Sequence, residues 1–214
     1  MLVQTDAGPA VVKVLQNPAG PDALVRELVG TRLAAAFGLP TFDFAVLHYD
    51  GLVPLFLSNG EPVQPGMAFA TRFERGNVWG GTSVELKRLS NPDDIARMIV
   101  FDHWIQNFDR FTVLGGSNRG NVFHSTERSD AAGQLCLLAI DHTHCLLERS
   151  PFADHIAGGH VTDPTEYTVF RSYTEFVDAA SIRRSADALE SLPSERIVES
   201  CENIPEAWTG GHAL

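Results

Sequence analysis

Residues 101–124 read FDHWIQNFDRFTVLGGSNRGNVFH. An apolar helical pattern runs into Asn107, Asp109 and Arg110. A glycine-containing loop follows, with Asn118 and Asn121, and then a short apolar run. Buried polar groups cost free energy unless they are satisfied. Polar residues placed where a buried helix hands over to a strand therefore have two readings. They cap and turn the chain, or they hold something that is not protein.

Upstream, residues 91–107 (NPDDIARMIVFDHWIQN) predict a helix with Asn91 as N-cap, Pro92 at the first helical position, and Asp93 and Asp94 in the first turn. Ile95, Met98, Ile99, Val100, Phe101, Trp104 and Ile105 spread apolar surface widely around it, as in a central, buried helix. Downstream, NVFH (121–124) and QLCLLAID (134–141) read as strands joined as a hairpin by STERSDAAG. Residues 173–192 and 193–204 read as helices.

The first half has a different character. AVVKVL (10–15) reads as a strand, and TDAG (5–8) before it as a hairpin turn. Residues 22–37 carry a helical stripe of Leu24, Val25, Leu28, Leu33, Ala36 and Phe37, stopped by Gly38 and Pro40. Residues 41–57 read as two strands about the Asp50-Gly51 turn, and MAFATRF (67–73) as another strand. ERGNVWGGTS (74–83) is too rich in glycine and polar residues for a regular element. The expected class is α+β: a sheet-plus-one-helix lobe over 1–80 and a mainly helical lobe over 81–214, together one domain. The break is expected in the glycine-rich stretch 76–90.

Composition bounds the function. The 214 residues are 44% hydrophobic and 20% charged, ordinary for a soluble protein. The formal net charge of −11 argues against a broad nucleic-acid or anionic-membrane surface. No apolar run approaches the roughly 20 residues that span a bilayer, and the acidic start is not a signal peptide. Cys136, Cys145 and Cys201 have no metal spacing, and a reducing cytoplasm is the easier setting.

The chemistry gathers in a few residues. Lysine occurs only at Lys13 and Lys87. Lys13 sits within an apolar strand, and Glu27 on the following helix lies beside Leu24 and Leu28. A lysine that holds nucleotide phosphates needs such an anion to orient it. The hairpin brings Asn121 and Asp141 to neighbouring strand ends, where their oxygens suit a hard cation such as Mg²⁺. Asp109 nearby is placed to orient a hydroxyl and accept its proton. Bland readings stand beside these. Lys13 faces solvent from an edge strand; Glu27 pairs with Arg26 or Thr31; Asp109 and Arg110 form a helix-end ion pair; Asn118 and Asn121 make a turn. Asp141 with His142 and His144 also has the composition of a transition-metal cluster. His103, His124, His155 and His160 show no paired spacing.

The segments VVKV, RELVGTRLAAAFGLP, WIQNFDR…NRGNVF and LLAIDH, in this order, resemble HipA-like kinases, in particular their short single-domain branch. The closing IPEAW is similar as well. The resemblance implies a two-lobed protein-kinase-like fold, ATP and Mg²⁺ as cofactors, and phosphoryl transfer to a hydroxyl of a protein or small molecule, with autophosphorylation possible in principle. By resemblance Lys13 matches the phosphate lysine, Glu27 its helix partner, Asp109 the catalytic aspartate, and Asn121 and Asp141 the metal ligands. Asn118 is a rival for the asparagine role. Three departures stand out: no full glycine-rich loop precedes Lys13, DHTH replaces Asp-Phe-Gly, and no histidine follows Asp109-Arg110. The alternative function is a degenerate kinase-fold binding module, or a small subunit whose partner chain completes the phosphate loop.

Overall fold

In a computed structural model, the described residues are 1–20, 22–112, 116–130, 132–146 and 167–209. Strands β1 (Leu2–Thr5) and β2 (Gly8–Lys13) form a tight hairpin with Thr5 opposite Gly8, as the TDAG turn predicts. With β3 (Phe44–Tyr49) and β4 (Gly66–Arg72) they make an antiparallel sheet ordered β1-β2-β4-β3. Lys13 pairs with Phe69 on β4, so its strand is interior to the sheet rather than at its edge. Helix α1 (Asp22–Ala36) follows β2 and packs on β4.

The second strand expected in 41–57 does not form. β3 pairs with β4 instead, and beyond the Asp50-Gly51 turn only an isolated bridge, Phe56 to Pro62, remains. Leu52, Val53 and Phe56 are exposed there, so the apolar run lacks a sheet face to bury. The stretch 74–83 departs in the other direction. β5 (Gly76–Val78) pairs with β8 (Val122–Ser125), which pairs in turn with β9 (Cys136–Ala139). A Cβ at residue 76 would lie 2.3 Å from the His124 carbonyl oxygen, so the glycine itself permits the close strand approach. A one-turn helix, α2 (Ser83–Leu86), is closed by a capping box between Thr82 and Glu85.

Helix α3 (Asp94–Ile105) is central. Asn91 is not its N-cap; Asp93 holds that position without a side-chain cap bond. The Asn91 amide instead pairs with β9, donating to Leu137 O at 3.0 Å and accepting from Leu137 N at 2.8 Å. An amide side chain has the same donor and acceptor pair as a peptide, and here it extends a strand edge rather than a helix end. α3 ends at Gln106, whose φ of 53° turns the chain sharply toward Asn107. The glycine-containing loop after α3 includes a small hairpin, β6 (Phe111–Thr112) with β7 (Gly116–Ser117). Helices α4 (Ala179–Glu190) and α5 (Ser194–Cys201) follow; α4 packs on α3 and α5 on α1.

One large apolar core joins these parts. It includes Leu24 and Leu28 of α1, Phe69 of β4, Trp79, Met98 and Phe101 of α3, Leu137 of β9, and Tyr173. A smaller cluster joins Val12, Ala68 and Ala70 of the first sheet to Val14 and Val63 beside it. Trp208, fully buried, donates from Nε1 to Met67 O at 3.1 Å and returns the C-terminal segment to β4. This gives IPEAW its place in the fold.

Candidate active site

β2 ends at Lys13 and α1 begins nine residues later, so the sheet and helix meet over the Lys13 ammonium. Nζ lies 3.0 Å from Glu27 Oε2, 2.9 Å from Asp141 Oδ1 and 3.0 Å from Thr143 Oγ1. An ammonium has three donors, and all three have acceptors here. Glu27 is buried, and the guanidinium of its chain neighbour Arg26 reaches Asp22 at 3.6 Å. Besides Lys13, Glu27 Oε2 accepts from the His142 backbone N–H and from Thr143 Oγ1, both at 2.9 Å. One carboxylate oxygen thus fastens α1 to the segment that follows β9. The solvent-facing reading of Lys13 and the local pairing of Glu27 are both set aside by these distances.

Asp141 stands just beyond β9 with a φ of 57°. That left-handed conformation is uncommon outside glycine, though Asp tolerates it better than most residues. His142, next in line, is fully buried. Its ring packs edge-on against Phe101, with Nδ1 3.3 Å from Thr31 Oγ1, which commits it to the core. Among the described residues no group of three or more His, Cys, Asp or Glu side chains is arranged to hold a metal.

A second cluster centres on Asp109. Its Oδ2 accepts from Asn118 Nδ2 at 3.0 Å and from Asn121 Nδ2 at 2.7 Å. Both candidate asparagines therefore touch the same carboxylate oxygen; Asn118 is exposed and Asn121 is buried, in the 3₁₀ turn (Arg119–Asn121) that leads into β8. Ile140 links the clusters: its N–H donates to Asn121 O at 3.3 Å, and Asp141 is the next residue. A family model for HipA-like kinases matches residues 5–213. The chain belongs to the HipA-like kinase family. A comparison with curated proteins found no match.

The family suggests ATP and a divalent cation, and the residues of this HipA-like kinase fit them on chemical grounds. The Asn121 amide nitrogen is committed to Asp109, which accepts only, so the amide carbonyl is the atom left for another partner. Asp141 offers a second carboxylate oxygen besides the one at Lys13. These are hard oxygen donors at neighbouring strand ends, as Mg²⁺ requires. Electrostatics agree. Burial opposes the Lys13 charge, but Glu27 and Asp141 outweigh it and raise the pKa, so the ammonium persists. Burial also acts against the Asp141 carboxylate, but Lys13 and the bonds from Thr143 overcome it and hold the pKa well below the usual range.

Sequence reasoning missed Thr143 and Asp102, and named Arg110 without its buried partner. Thr143 bridges Lys13 and Glu27, and nothing in its spacing from Asp141 signals this. Asp102 and Arg110 form a fully buried ion pair, Nε to Oδ2 at 2.6 Å, in place of the helix-end pair of Arg110 with Asp109. The signal was present in α3: an aspartate inside an otherwise apolar helix needs a buried partner.

Proposed function

We propose that this chain is a cytoplasmic ATP- and Mg²⁺-dependent kinase whose lobes, residues 1–80 and 81–214, meet at Lys13 and Asp141 and transfer a phosphoryl group to a hydroxyl. The observation that carries this reading is the Lys13 ammonium held by Glu27 at 3.0 Å and Asp141 at 2.9 Å. Few purely structural needs bring a strand lysine, a helix glutamate and a hairpin-end aspartate to one buried point; phosphate binding beside a metal does.

Glu27 orients Lys13 toward the nucleotide phosphates. A phosphate oxygen would join the acceptors of Lys13, and Asp141 and Asn121 would hold Mg²⁺. Bound Mg²⁺ would supply neutralising charge to the phosphates. Asp109, aligned by Asn118 and Asn121, accepts the proton of the acceptor hydroxyl as its oxygen bonds to the γ-phosphorus. The bond from that phosphorus to the bridging oxygen breaks, and ADP leaves. The acceptor is a protein or small-molecule hydroxyl, with a residue of the same chain as one candidate.

Calorimetry with Mg·ATP and transfer from labelled ATP, on wild type, Asp109→Asn and Asp141→Asn, test the assignment. Asp109→Asn should keep nucleotide affinity and lose turnover by about 10²–10⁴-fold, as for a general base. Asp141→Asn should lose metal-dependent affinity as well. Wild type that binds Mg·ATP without transferring phosphate to itself, to water or to added acceptors would be a binding module instead.

A further inference from the structure

Arg110 lies behind every group assigned to phosphoryl transfer on the hairpin side of the site. It is fully buried and adjacent in sequence to Asp109. Its Nε donates to Asp102 on α3. Its Nη1 donates to the backbone oxygen of Asn121 and, at 3.0 Å, to that of Ile140, the residue before Asp141. Asp102 is held in turn by Asn107 Nδ2 at 3.2 Å and by the Thr168 hydroxyl.

A buried ion pair is weak evidence of a stabilising role, because apolar residues of similar volume often serve stability as well or better. Arg110 even carries a buried Nη2 with no hydrogen-bond partner among the described residues. Apolar side chains cannot supply directed N–H donors to two carbonyls at once. We infer that Arg110, anchored by Asp102, is a positioning residue that sets the spacing of Asn121 and Asp141 and the direction of Asp109. This inference rests on the kinase reading above. Nη1 alone takes both strand-end carbonyls while Nε holds Asp102, so the rigid guanidinium fixes the two strand ends together against α3. A lysine has one nitrogen for Asp102 and both carbonyls together, and lacks the fixed spacing between Nε and Nη1.

The test uses Arg110→Lys, which keeps the charge beside Asp102, and Asp102→Asn, which keeps the size of the anchor. For each, calorimetry gives the fraction of molecules competent to bind Mg·ATP, and transfer rates are expressed per competent molecule. Both variants should lose roughly 10–100-fold in kcat, the range typical of losing a residue that orients metal ligands. Both should also need more Mg²⁺ for half-maximal rate, while the KM for ATP at saturating Mg²⁺ changes little. A merely structural role would lower the melting temperature and the competent fraction and leave the Mg²⁺ midpoint in place; that result overturns the inference. Wild type with no Mg·ATP binding or transfer overturns the kinase reading and the inference together. An active wild type with unshifted variants overturns the inference alone.

Discussion

Glu27 and Asp141 both face the Lys13 ammonium, yet their carboxyl pKa values move in opposite directions. Burial raises both. At Glu27, only 3% exposed, it outweighs the lysine; at Asp141, whose side chain is 39% exposed, the lysine and Thr143 prevail. A depressed folded-state pKa makes Asp141 a stabiliser above its unfolded value of about 3.9, and that contribution is lost as pH falls toward the folded value. Glu27 has the opposite sign: the folded state holds its proton more tightly, so its contribution weakens as pH rises from about 4.3 through the raised value. Lys13, with a raised pKa, contributes until strongly alkaline pH. In Mg²⁺-free buffer Asp141→Asn should therefore melt below wild type near neutral pH, and the gap should close as pH falls through about 3.9 toward 2. Melting curves at stepped pH measure it. A gap that persists at the acid end would mean that the side chain acts through shape and not charge.

At the scale of elements, α1 is held against the site by closeness as well as by Glu27. A Cβ at Gly30, one turn beyond Glu27, would lie 2.5 Å from His142 Cβ. Helix propensity alone favours Gly30→Ala by about 1 kcal/mol. The clash opposes it, and overpacking a core costs about 1–3 kcal/mol. Gly30→Ala should thus destabilise the protein in urea titration and, by pushing α1 from His142, loosen the His142 and Thr143 bonds to Glu27. A more stable variant would show that the approach is less tight than these contacts require. This glycine also marks what the sequence conveyed. The helix over 22–37 was legible because its stripe is long and its stops, Gly38 and Pro40, are strong. The β8–β9 hairpin was legible because both strands are apolar and a polar connection separates them. β5 was not, since a three-residue strand admitted by Gly76 carries no periodicity. Asn91 misled because asparagine suits a helix cap and a strand edge equally, and only the nearness of Leu137 decides between them. Lys13, Glu27 and Asp141 could be named from order and resemblance; their common meeting point is a tertiary fact that spacing cannot state.

Across the whole molecule, the site is where the first sheet, α1 and the hairpin ends converge, and a single large core runs behind it from Phe69 to Tyr173. Trp208 closes that arrangement by tying the C-terminal segment back to β4. No described helix is long and apolar enough to cross a membrane. A ligand seated at this convergence binds only the folded chain, so it must raise the stability of the entire molecule. At about 100 times its Kd, Mg·ATP should add about 2.7 kcal/mol. With about 2–4 °C per kcal/mol for a chain of this size, the melting temperature should rise by roughly 5–11 °C. Two lysine variants decide whether the rise belongs to the proposed site. Lys13→Ala removes the proposed phosphate donor, whereas Lys87 sits in an exposed pair with Glu175 at 3.0 Å, worth little to stability. Each variant is compared with its own nucleotide-free baseline, so any intrinsic loss from breaking the Lys13 cluster cancels. Lys87→Ala should keep the full rise and Lys13→Ala should lose most of it. Equal rises in both would mean that nucleotide binds away from Lys13, and that the cluster with Glu27 and Asp141 serves only to join the sheet to the hairpin.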